Sequence, residues 1–286
     1  MPDYPALLAE TEDAPPLLTV AGDVGLFHRP SVGMVGARNA SAIGIRFARE
    51  LASGIGSEGR VVVSGLARGI DAAAHIGAMS SGTIAVIAGG LDVVYPRQHE
   101  ALQSEVVERG LLVAEMPPGV EPQARHFPNR NRIIAGLSAG TVVVEAAVRS
   151  GSLITARLAG EMGREVMAVP GHPLDQRADG CNKLIREGAT LVRSARDVDD
   201  CLGSIDYRMP ERVAMERDHF DPRDVEHDAG ATALVEGLLG LTAVGIDELI
   251  RQSGLGHPQV QLALLELDLA GRIERHAGGK VSLIPA

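Results

Sequence analysis

The chain has 286 residues, of which 45% are hydrophobic and 22% charged, so it can form a sizeable core in one large or two modest domains. Aromatic residues make up only 2% and tryptophan is absent, so the core must be aliphatic and aromatic stacking can contribute at few places. The net charge of −10 taken alone argues against nucleic acid as a partner, because a phosphate backbone is neutralised by lysine and arginine. Binding depends, however, on where the cations lie.

The two cysteines, Cys181 and Cys201, lie apart with no CxxC or Cys/His spacing, so neither a disulfide framework nor a zinc site is predicted. No stretch has eighteen uninterrupted apolar residues, and no charged segment precedes an apolar run at the start. We therefore expect a soluble, cytoplasmic protein with no membrane span, metal or cofactor.

From residue 31 onward, short apolar segments alternate with amphipathic segments of helical length. Nearly continuous apolar segments of this length are typical of strands buried on both faces of a parallel sheet. The predicted strands are Ser31–Ala37, Arg60–Gly65, Thr83–Gly89, Leu111–Glu115, Thr141–Ala147, Glu165–Pro170 and Thr190–Arg193. Helices are predicted at Ala42–Ile55, Ala72–Ser80, His99–Arg109 and Leu153–Gly163. Residues 31–203 are thus predicted to form a doubly wound, mainly parallel α/β sheet domain.

The two ends of the chain have a different character. Residues 1–30 contain five prolines and predict an irregular lead-in, and residues 204–229, rich in Asp, Glu and Arg, are typical of a linker. Beyond the linker, helices and then short strands are predicted at Thr232–Leu239, Ile246–Gln252, Pro258–Ala270, Arg272–His276 and Lys280–Ile284. Three helices followed by a hairpin indicate a small winged-helix domain over residues 230–286.

Two glycine-rich turns, each carrying an arginine, follow predicted strands. One is Gly33-Met-Val-Gly36-Ala37-Arg38 and the other is Ser64-Gly65-Leu-Ala-Arg68-Gly69-Ile-Asp71. Glycine lets backbone N–H groups approach a phosphate, and a following helix N-terminus favours an anion. Because both strands end at the same edge of the sheet, two anion sites are predicted there, with tight turning alone as the alternative. Ser41 is the predicted N-cap of the helix after the first turn.

A locally basic segment lies between Glu121 and Glu145, where no acidic residue occurs. It contains Arg125, His126, Phe127, Arg130, Asn131 and Arg132. Arginines for phosphate and an aromatic face for a base are the combination that binds single strands. The alternative is a solvated turn with Phe127 buried in the core. The proline before Asn129 predicts a helix starting near that residue.

Further polar side chains are predicted to support this edge. Asp71 could cap a helix, and with His75 it is interpreted as a packed polar pair rather than a catalytic dyad. Glu145, at the end of a predicted strand, could be a general base, grip a hydroxyl or orient the arginines of the basic segment. We favour the orienting role, because a carboxylate without an acid partner is thin support for catalysis. A turn containing Ser152, followed by Thr155, adds hydroxyls.

These motifs together resemble the DNA processing protein A (DprA/Smf) family. The resemblance covers residues 4–200 and rests on GxR, SGxARGID with a following histidine, Tyr95-Pro96, FPxRNRIIAG at 127–136, VVVEA, SGSLITA at 150–156, a Pro-Gly turn and GxNxLIxxGA. It implies an extended Rossmann-like domain that binds single-stranded DNA without sequence preference, protects incoming DNA and helps load the recombinase RecA in natural transformation. It also implies a homodimer formed through the sheet domain and no enzymatic activity.

The family's DNA contacts can be carried over by motif. They correspond to Gly36, Arg38, Ser64, Gly65, Arg68, Gly69, Arg125, Phe127, Arg130, Asn131 and Arg132, to which we add Ser152 and Thr155. Removing Arg38, Arg68 or Arg130 is expected to weaken DNA binding with little effect on thermal stability. Two features depart from the family pattern. Many members carry an N-terminal helical domain, whereas this chain begins almost at the sheet domain, and Ala37 stands where serine is common.

The C-terminal domain resembles the winged helix that many members carry. From residue 204 onward there are eight basic and fourteen acidic residues, and the candidate recognition helix Pro258–Ala270 contains no lysine or arginine. A major-groove reader needs cations for the backbone and polar side chains for the bases. This domain is therefore expected to contact protein or support a dimer rather than read duplex DNA.

The main alternative function is enzymatic. Residues 136–145 faintly resemble the PGGxGTxxE loop of the lysine-decarboxylase-like phosphoribohydrolases, which cleave nucleoside monophosphates on a related sheet. The doubled glycine is missing, and a mononucleotide site would leave the basic segment unexplained. A third possibility is a nucleotide-sensing module whose output is the winged helix.

Overall fold

The computed structural model describes residues 4–203, 229–240, 242–276 and 280–284. The chain divides into two units, Met1–Met209 and Pro210–Ala286, each with its own hydrophobic core. Residues 204–228 of the predicted linker and the tip of the predicted C-terminal hairpin, residues 277–279, lie outside the described part.

The first unit is built on an eight-stranded sheet. Its strands are β1 (Thr19–Gly22), β2 (Ser31–Gly36), β3 (Val61–Ser64), β4 (Thr83–Ile87), β5 (Leu111–Ala114), β6 (Gly140–Val144), β7 (Glu165–Ala168) and β8 (Thr190–Leu191). They lie in the order β1-β5-β4-β3-β2-β6-β7-β8, parallel from β5 to β8 and antiparallel only between β1 and β5. All seven predicted strands are confirmed as members of one mainly parallel sheet.

Helices cover both faces of this sheet. They are α1 (Ala6–Ala9), α2 (Ala42–Ser57), α3 (Ile70–Ala78), α4 (Glu100–Arg109), α5 (His126–Leu137), α6 (Ser152–Glu161), α7 (Asp179–Arg186) and α8 (Ala195–Gly203). Met34 of β2 packs in one core cluster with α2, α3 and α8, whereas its neighbour Val35 packs in the other with α5 and α6. Successive side chains of a strand point to opposite faces, so one apolar strand supplies both cores.

The sequence missed part of the lead-in and misplaced one helix. Strand β1 pairs with β5 at the sheet edge, and only this pairing defines it, because its four residues are all partly or fully exposed and carry no strong apolar alternation. Helix α5 starts at His126, three residues before the predicted start near Asn129. Pro128 is tolerated there because N–H groups in the first helical turn have no intrahelical acceptor.

The strand order reverses between β2 and β6. From β2 the chain proceeds outward through β3, β4 and β5, and from β6 it proceeds the other way through β7 and β8. The loops that follow β2 and β6 therefore diverge, which leaves a crevice at the carboxyl ends of these two strands. Open α/β sheets bind ligands at such a position.

The second unit contains α9 (Ala229–Leu238), α10 (Ile246–Ser253) and α11 (His257–Leu269). A small antiparallel sheet, in the order β10-β11-β9, is formed by β9 (Val244–Gly245), β10 (Ile273–His276) and β11 (Lys280–Leu283). The three helices and the strand pair confirm the predicted winged-helix arrangement, and β9 is an additional strand. No helix in the described ranges is both long and apolar enough to cross a bilayer.

Candidate nucleic-acid interface

Two cavities open at the carboxyl edge of the sheet and share Arg38, Ala67, Phe127 and Arg130 in their walls. The smaller, of about 110 Å³, lies beyond β3 and β4 and is also lined by Gly65, Arg68, Gly89, Tyr95 and Pro122. The larger, of about 630 Å³, fills the crevice beyond β2 and β6 and is also lined by Gly36, Asn131, Arg149, Ser150, Ser152 and Thr155. Both predicted glycine-rich turns and the basic segment thus meet at one edge.

An aromatic and cationic stack stands where the two cavities meet. The guanidinium carbon of Arg38 lies 5.0 Å from the centroid of the Phe127 ring, a cation–π distance. The Tyr95 ring is tilted against Phe127 at a centroid separation of 5.6 Å. Phe127 is half-buried and Tyr95 is exposed, so aromatic surface reaches the cavities instead of disappearing into the core. Tyr95 was not among the predicted contacts. Aromatic residues are so scarce in this chain that each of them could have been considered for stacking.

Arg130 is built into the interior of this edge. Its side chain donates hydrogen bonds to the backbone oxygens of Gly65, at 2.5 Å, and Val86, so it ties the end of β3 to β4. Only 6% of the residue is exposed. Burial lowers its pKa to about 10, against the opposing effect of the Asp71 carboxylate, so it stays charged at neutral pH. The sequence-based expectation that removing Arg130 has little effect on thermal stability therefore does not agree with its buried, hydrogen-bonded environment.

The lack of a side chain at Gly65 leaves room for the buried Arg130 guanidinium. A Cβ at Gly65 would lie about 2.6 Å from the Arg130 guanidinium. Gly69 has φ of +76°, in the left-handed region that favours glycine, and a Cβ there would collide with the Ala37 carbonyl oxygen. The N–H of Ile70 donates to that same oxygen at 3.2 Å, so the two glycine-rich turns brace one another.

The other two arginines of the basic segment, Arg125 and Arg132, line neither cavity. Arg132 donates to Glu115 at 2.5 Å, lies 3.5 Å from Asp13 and lines neither cavity. Residues two apart on a helix project to nearly opposite sides, so α5 cannot direct both Arg130 and Arg132 to one site. Arg125 is exposed just before the helix. The structure therefore brings Arg38, Arg68 and Phe127 together but does not add Arg132 to them.

Ser64 and His75 lie beneath the surface. The Ser64 hydroxyl donates to the Met34 carbonyl oxygen at 2.6 Å, linking β3 to β2, and the residue is fully buried. The Nε2 atom of His75 accepts from the Leu66 N–H, so Nδ1 carries the proton and donates to Thr83 Oγ1 at 2.7 Å. Burial lowers the pKa of His75 to about 3, and the ring is neutral. Both side chains stabilise the glycine-rich turn at residues 64–71 from the interior of the domain.

The sequence suggested that Asp71 could cap helix α3, but in the structure it does not. The helix begins at Ile70 with Gly69 as its N-cap, so Asp71 lies within the first turn and accepts from the Ala67 N–H at 3.4 Å. Burial raises the pKa of Asp71, although the nearby Arg130 guanidinium opposes this shift. Asp71 thus fixes the Arg68 turn and balances the buried charge of Arg130.

The buried His75 predicts a specific pH dependence of stability. Unfolded, this imidazole titrates near 6.5, whereas the folded protein keeps it neutral down to about pH 3. Between these values the unfolded state binds more protons, so stability falls as the pH drops below 6.5. We expect a loss of about 2 kcal/mol at about pH 5 from this group, measured by urea unfolding. His75→Asn should lose correspondingly less stability on acidification, and an equal loss in both proteins would contradict the assignment.

Glu145 does not orient the arginines of the basic segment, so that interpretation is wrong. Its carboxylate accepts from the Ser41 N–H at 2.8 Å and from the Ser41 hydroxyl at 2.5 Å. Ser41 caps α2 as predicted, since its Oγ accepts from the Gly44 N–H. Glu145 has φ of +52° and faces a separate cavity of about 360 Å³ lined by Phe47 and other residues. The open alternative in which it grips a hydroxyl is the one observed.

Three exposed arginines line the two cavities without an ion pair in the described part of the chain: Arg38, Arg68 and Arg149. The sequence missed Arg149 because it stands outside the basic segment, beside a serine-rich turn. Among the described residues no group of His, Cys, Asp and Glu is arranged to hold a metal ion. The arrangement offers cations, hydroxyls and aromatic faces, which suit a phosphate backbone and its bases.

Comparison with known proteins agrees with this geometry. Residues 1–203 match the family described as DNA recombination-mediator protein A, and residues 221–279 match the DprA winged helix domain. The chain belongs to this family. The DNA processing protein DprA of Streptococcus pneumoniae R6 is 49% identical over 197 residues, which are 68% of this chain and 70% of that protein. Protein Smf of Escherichia coli K12 is 39% identical over 283 residues, 98% of this chain and 75% of that protein.

Solved structures of two family members are similar to this chain. DprA from Streptococcus pneumoniae superposes with a TM-score of 0.66 at 48% identity, covering 68% of this chain and 70% of that one. DNA processing protein A from Helicobacter pylori, described for its single-stranded DNA binding mode, superposes with a TM-score of 0.66 at 28% identity, covering 71% and 94%. The family and its mainly parallel sheet are therefore established for this chain.

The residues that resemble the phosphoribohydrolase loop do not line the two cavities at the carboxyl edge. Gly140 and Thr141, which would be the glycine-threonine pair of that loop, lie at the amino end of buried strand β6. The two cavities that share Arg38 are at the opposite, carboxyl edge. The family match likewise does not favour the enzyme.

Proposed function

We propose that this protein binds single-stranded DNA without sequence preference across the carboxyl edge of its sheet. The observation that carries the proposal is the exposed stack of Arg38 on Phe127 beside Tyr95, placed between two cavities. Stacking on an aromatic face is tolerant of base identity, and arginines without carboxylate partners are free to meet phosphates. The reported binding of single-stranded DNA by the Helicobacter pylori relative supports the same function.

The proposed contacts are the predicted residues that line the cavities, together with Gly69, next to Arg68, and Arg125, two residues before Phe127. The lining residues are Gly36, Arg38, Gly65, Arg68, Phe127, Asn131, Ser152 and Thr155. Arg130 and Ser64 act behind this surface by fixing the strand ends. Because the chain carries a net charge of −10, we expect backbone binding to be confined to this edge, where Arg38, Arg68 and Arg149 line the cavities without an ion pair among the described residues. The test is fluorescence anisotropy with labelled oligo-dT, which should bind while a matched duplex binds weakly.

We further propose a role without catalysis or cofactor in the cytoplasm, in which the protein protects incoming single strands and loads RecA during natural transformation. Family membership supports this role. The expected result is faster RecA filament formation on oligonucleotides coated with single-strand-binding protein when this protein is added. The same family pattern supports a homodimer through the sheet domain, which light scattering would detect as twice the mass of the chain.

A mononucleotide-cleaving or mononucleotide-sensing function predicts different results. Both oxygens of Glu145, the candidate catalytic carboxylate, bind Ser41, and the residue lines neither cavity that contains Arg38. Incubation with AMP should therefore release no more adenine than a Glu145→Ala control. AMP should also compete poorly with oligo-dT. Release above the control would favour the enzyme, and strong competition would favour the sensing module.

The winged helix is proposed to contact protein or support a dimer and not to read duplex DNA. In its candidate recognition helix α11, the Glu266 carboxylate accepts from the Thr232 hydroxyl of α9 at 2.6 Å, and α11 contains no lysine or arginine. Without cations this helix cannot itself neutralise the phosphate backbone. A gel shift with residues 225–286 should show no tight binding of duplex DNA. Tight, salt-sensitive binding of the duplex by this fragment would contradict the proposal.

A further inference from the structure

The larger cavity contains a turn that the Arg38–Phe127 stack does not explain. Residues Arg149, Ser150, Gly151 and Ser152 lead into α6 and line the cavity beyond β6. Gly151 is the N-cap and provides no side-chain acceptor for the first turn of this ten-residue helix. The start of a helix carries partial positive charge and attracts anions. The Ser150 and Ser152 hydroxyls lie 2.7 Å apart beside it.

The hydroxyl of a buried residue points independently to a ligand at this turn. Thr155, one turn along α6, also lines the cavity, and only 1% of the residue is exposed. No hydrogen bond of its side-chain hydroxyl is seen within the part of the chain that the structure describes. The residue is buried yet borders the cavity, so its hydroxyl can donate a hydrogen bond to a phosphate oxygen that arrives there.

Arg149 provides the charge that an anion at this turn needs. It is exposed, lines the same cavity and forms no ion pair in the described ranges, whereas the neighbouring Arg177 is paired with Asp175 at 3.1 Å. The Asn131 amide donates to the Gly151 carbonyl oxygen at 3.4 Å, which connects the turn to α5. Asp71 is the carboxylate that lines this cavity, and it is buried close to Arg130.

We propose that the Arg149–Ser152 turn and the Thr155 hydroxyl form a separate site for a backbone phosphate of the same DNA strand. The strand would pass from the smaller cavity over the Arg38–Phe127 stack into the larger one. There a phosphate meets the Arg149 guanidinium and accepts hydrogen bonds from the turn and from Thr155. This inference rests on the proposed function, because the ligand is the single strand that the stack holds.

The test compares variants of the full chain in oligo-dT titrations at several salt concentrations. Arg149→Ala should weaken binding about tenfold, as expected for one charge-assisted contact, and lower the salt slope by about 0.7. Arg149→Lys should keep the slope, because the charge remains. Thr155→Val should weaken binding severalfold without changing the slope, because the hydroxyl is neutral. Its melting temperature should stay the same or rise, because no native partner is lost.

Arg49→Ala is the matched control, since Arg49 is an exposed arginine of α2 that lines neither cavity of the interface. It should bind like the parent, and an equal loss of slope in Arg49→Ala would overturn the site in favour of general charge. Binding like the parent by both Arg149→Ala and Thr155→Val, while Arg38→Ala is weakened, would overturn this site alone. Failure of the parent protein to bind oligo-dT would instead overturn the proposed function.

Discussion

Arg130→Ala is expected to lower the free energy of unfolding of the sheet domain by about 3–5 kcal/mol, as breaking a buried charged network does. The substitution leaves the Gly65 and Val86 carbonyl oxygens without their donor and Asp71 buried without its opposite charge. Unfolding in urea, followed by circular dichroism, would measure the loss. Arg130→Lys should recover only part of it, because an ammonium cannot reproduce the planar fork of the guanidinium.

Arg125→Ala provides the comparison from the same basic segment. Arg125 is exposed and precedes α5, so its removal should change stability by less than about 0.5 kcal/mol. An Arg130→Ala variant as stable as the parent would show that the buried hydrogen bonds contribute little. Weaker DNA binding by Arg130→Ala would then need a direct contact as its explanation.

Arg38→Ala combined with Arg68→Ala should have the largest effect on DNA affinity. Loss of two charge-assisted contacts is expected to weaken oligo-dT binding about 100-fold. The salt slope should fall by about 1.4, because each phosphate contact to a single strand contributes about 0.7. Stability should change little, since both side chains are exposed and neither forms an ion pair in the described residues.

Phe127→Ala separates stacking from charge in the same assay. Loss of a base–aromatic contact costs about 1–3 kcal/mol, so affinity should fall about 10- to 100-fold while the salt slope stays close to that of the parent. A fall of about 0.7 in the salt slope together with the loss of affinity would show that Phe127 acts by holding Arg38 and not by stacking. Phe27→Ala, at a half-buried phenylalanine away from both cavities, controls for the loss of an aromatic side chain.

The sheet could be predicted because its strands carry their own signal. Segments such as Thr83–Ile87 and Gly140–Val144 are continuously apolar and buried on both faces, and each was found where the pattern placed it. Strand β1 had no such signal, because it exists by pairing with β5 at an edge. The carboxyl-edge position of the two glycine-rich turns could be predicted because both turns follow parallel strands, whose carboxyl ends lie at the same edge.

The roles of individual polar side chains could be predicted less well. Residue type suggested that Arg130 and Arg132 act alike, yet one is a buried tie between strand ends and the other pairs with Glu115. Glu145 was placed correctly at the end of β6, but its partner, Ser41, lies 104 positions earlier and no local pattern connects them. Tertiary contacts of this kind decide which cations remain free, and Arg149 was missed for the same reason.

The most direct test of DNA binding at the carboxyl edge is the affinity of the full chain for oligo-dT and for a matched duplex across a salt series. The expected result is tighter binding of the single strand, with an affinity that falls linearly on a log–log plot and a slope that decreases in the Arg38→Ala, Arg68→Ala double variant. Equal or tighter binding of the duplex, or a slope unchanged by the double variant, would contradict the assignment of this edge as the single-strand site.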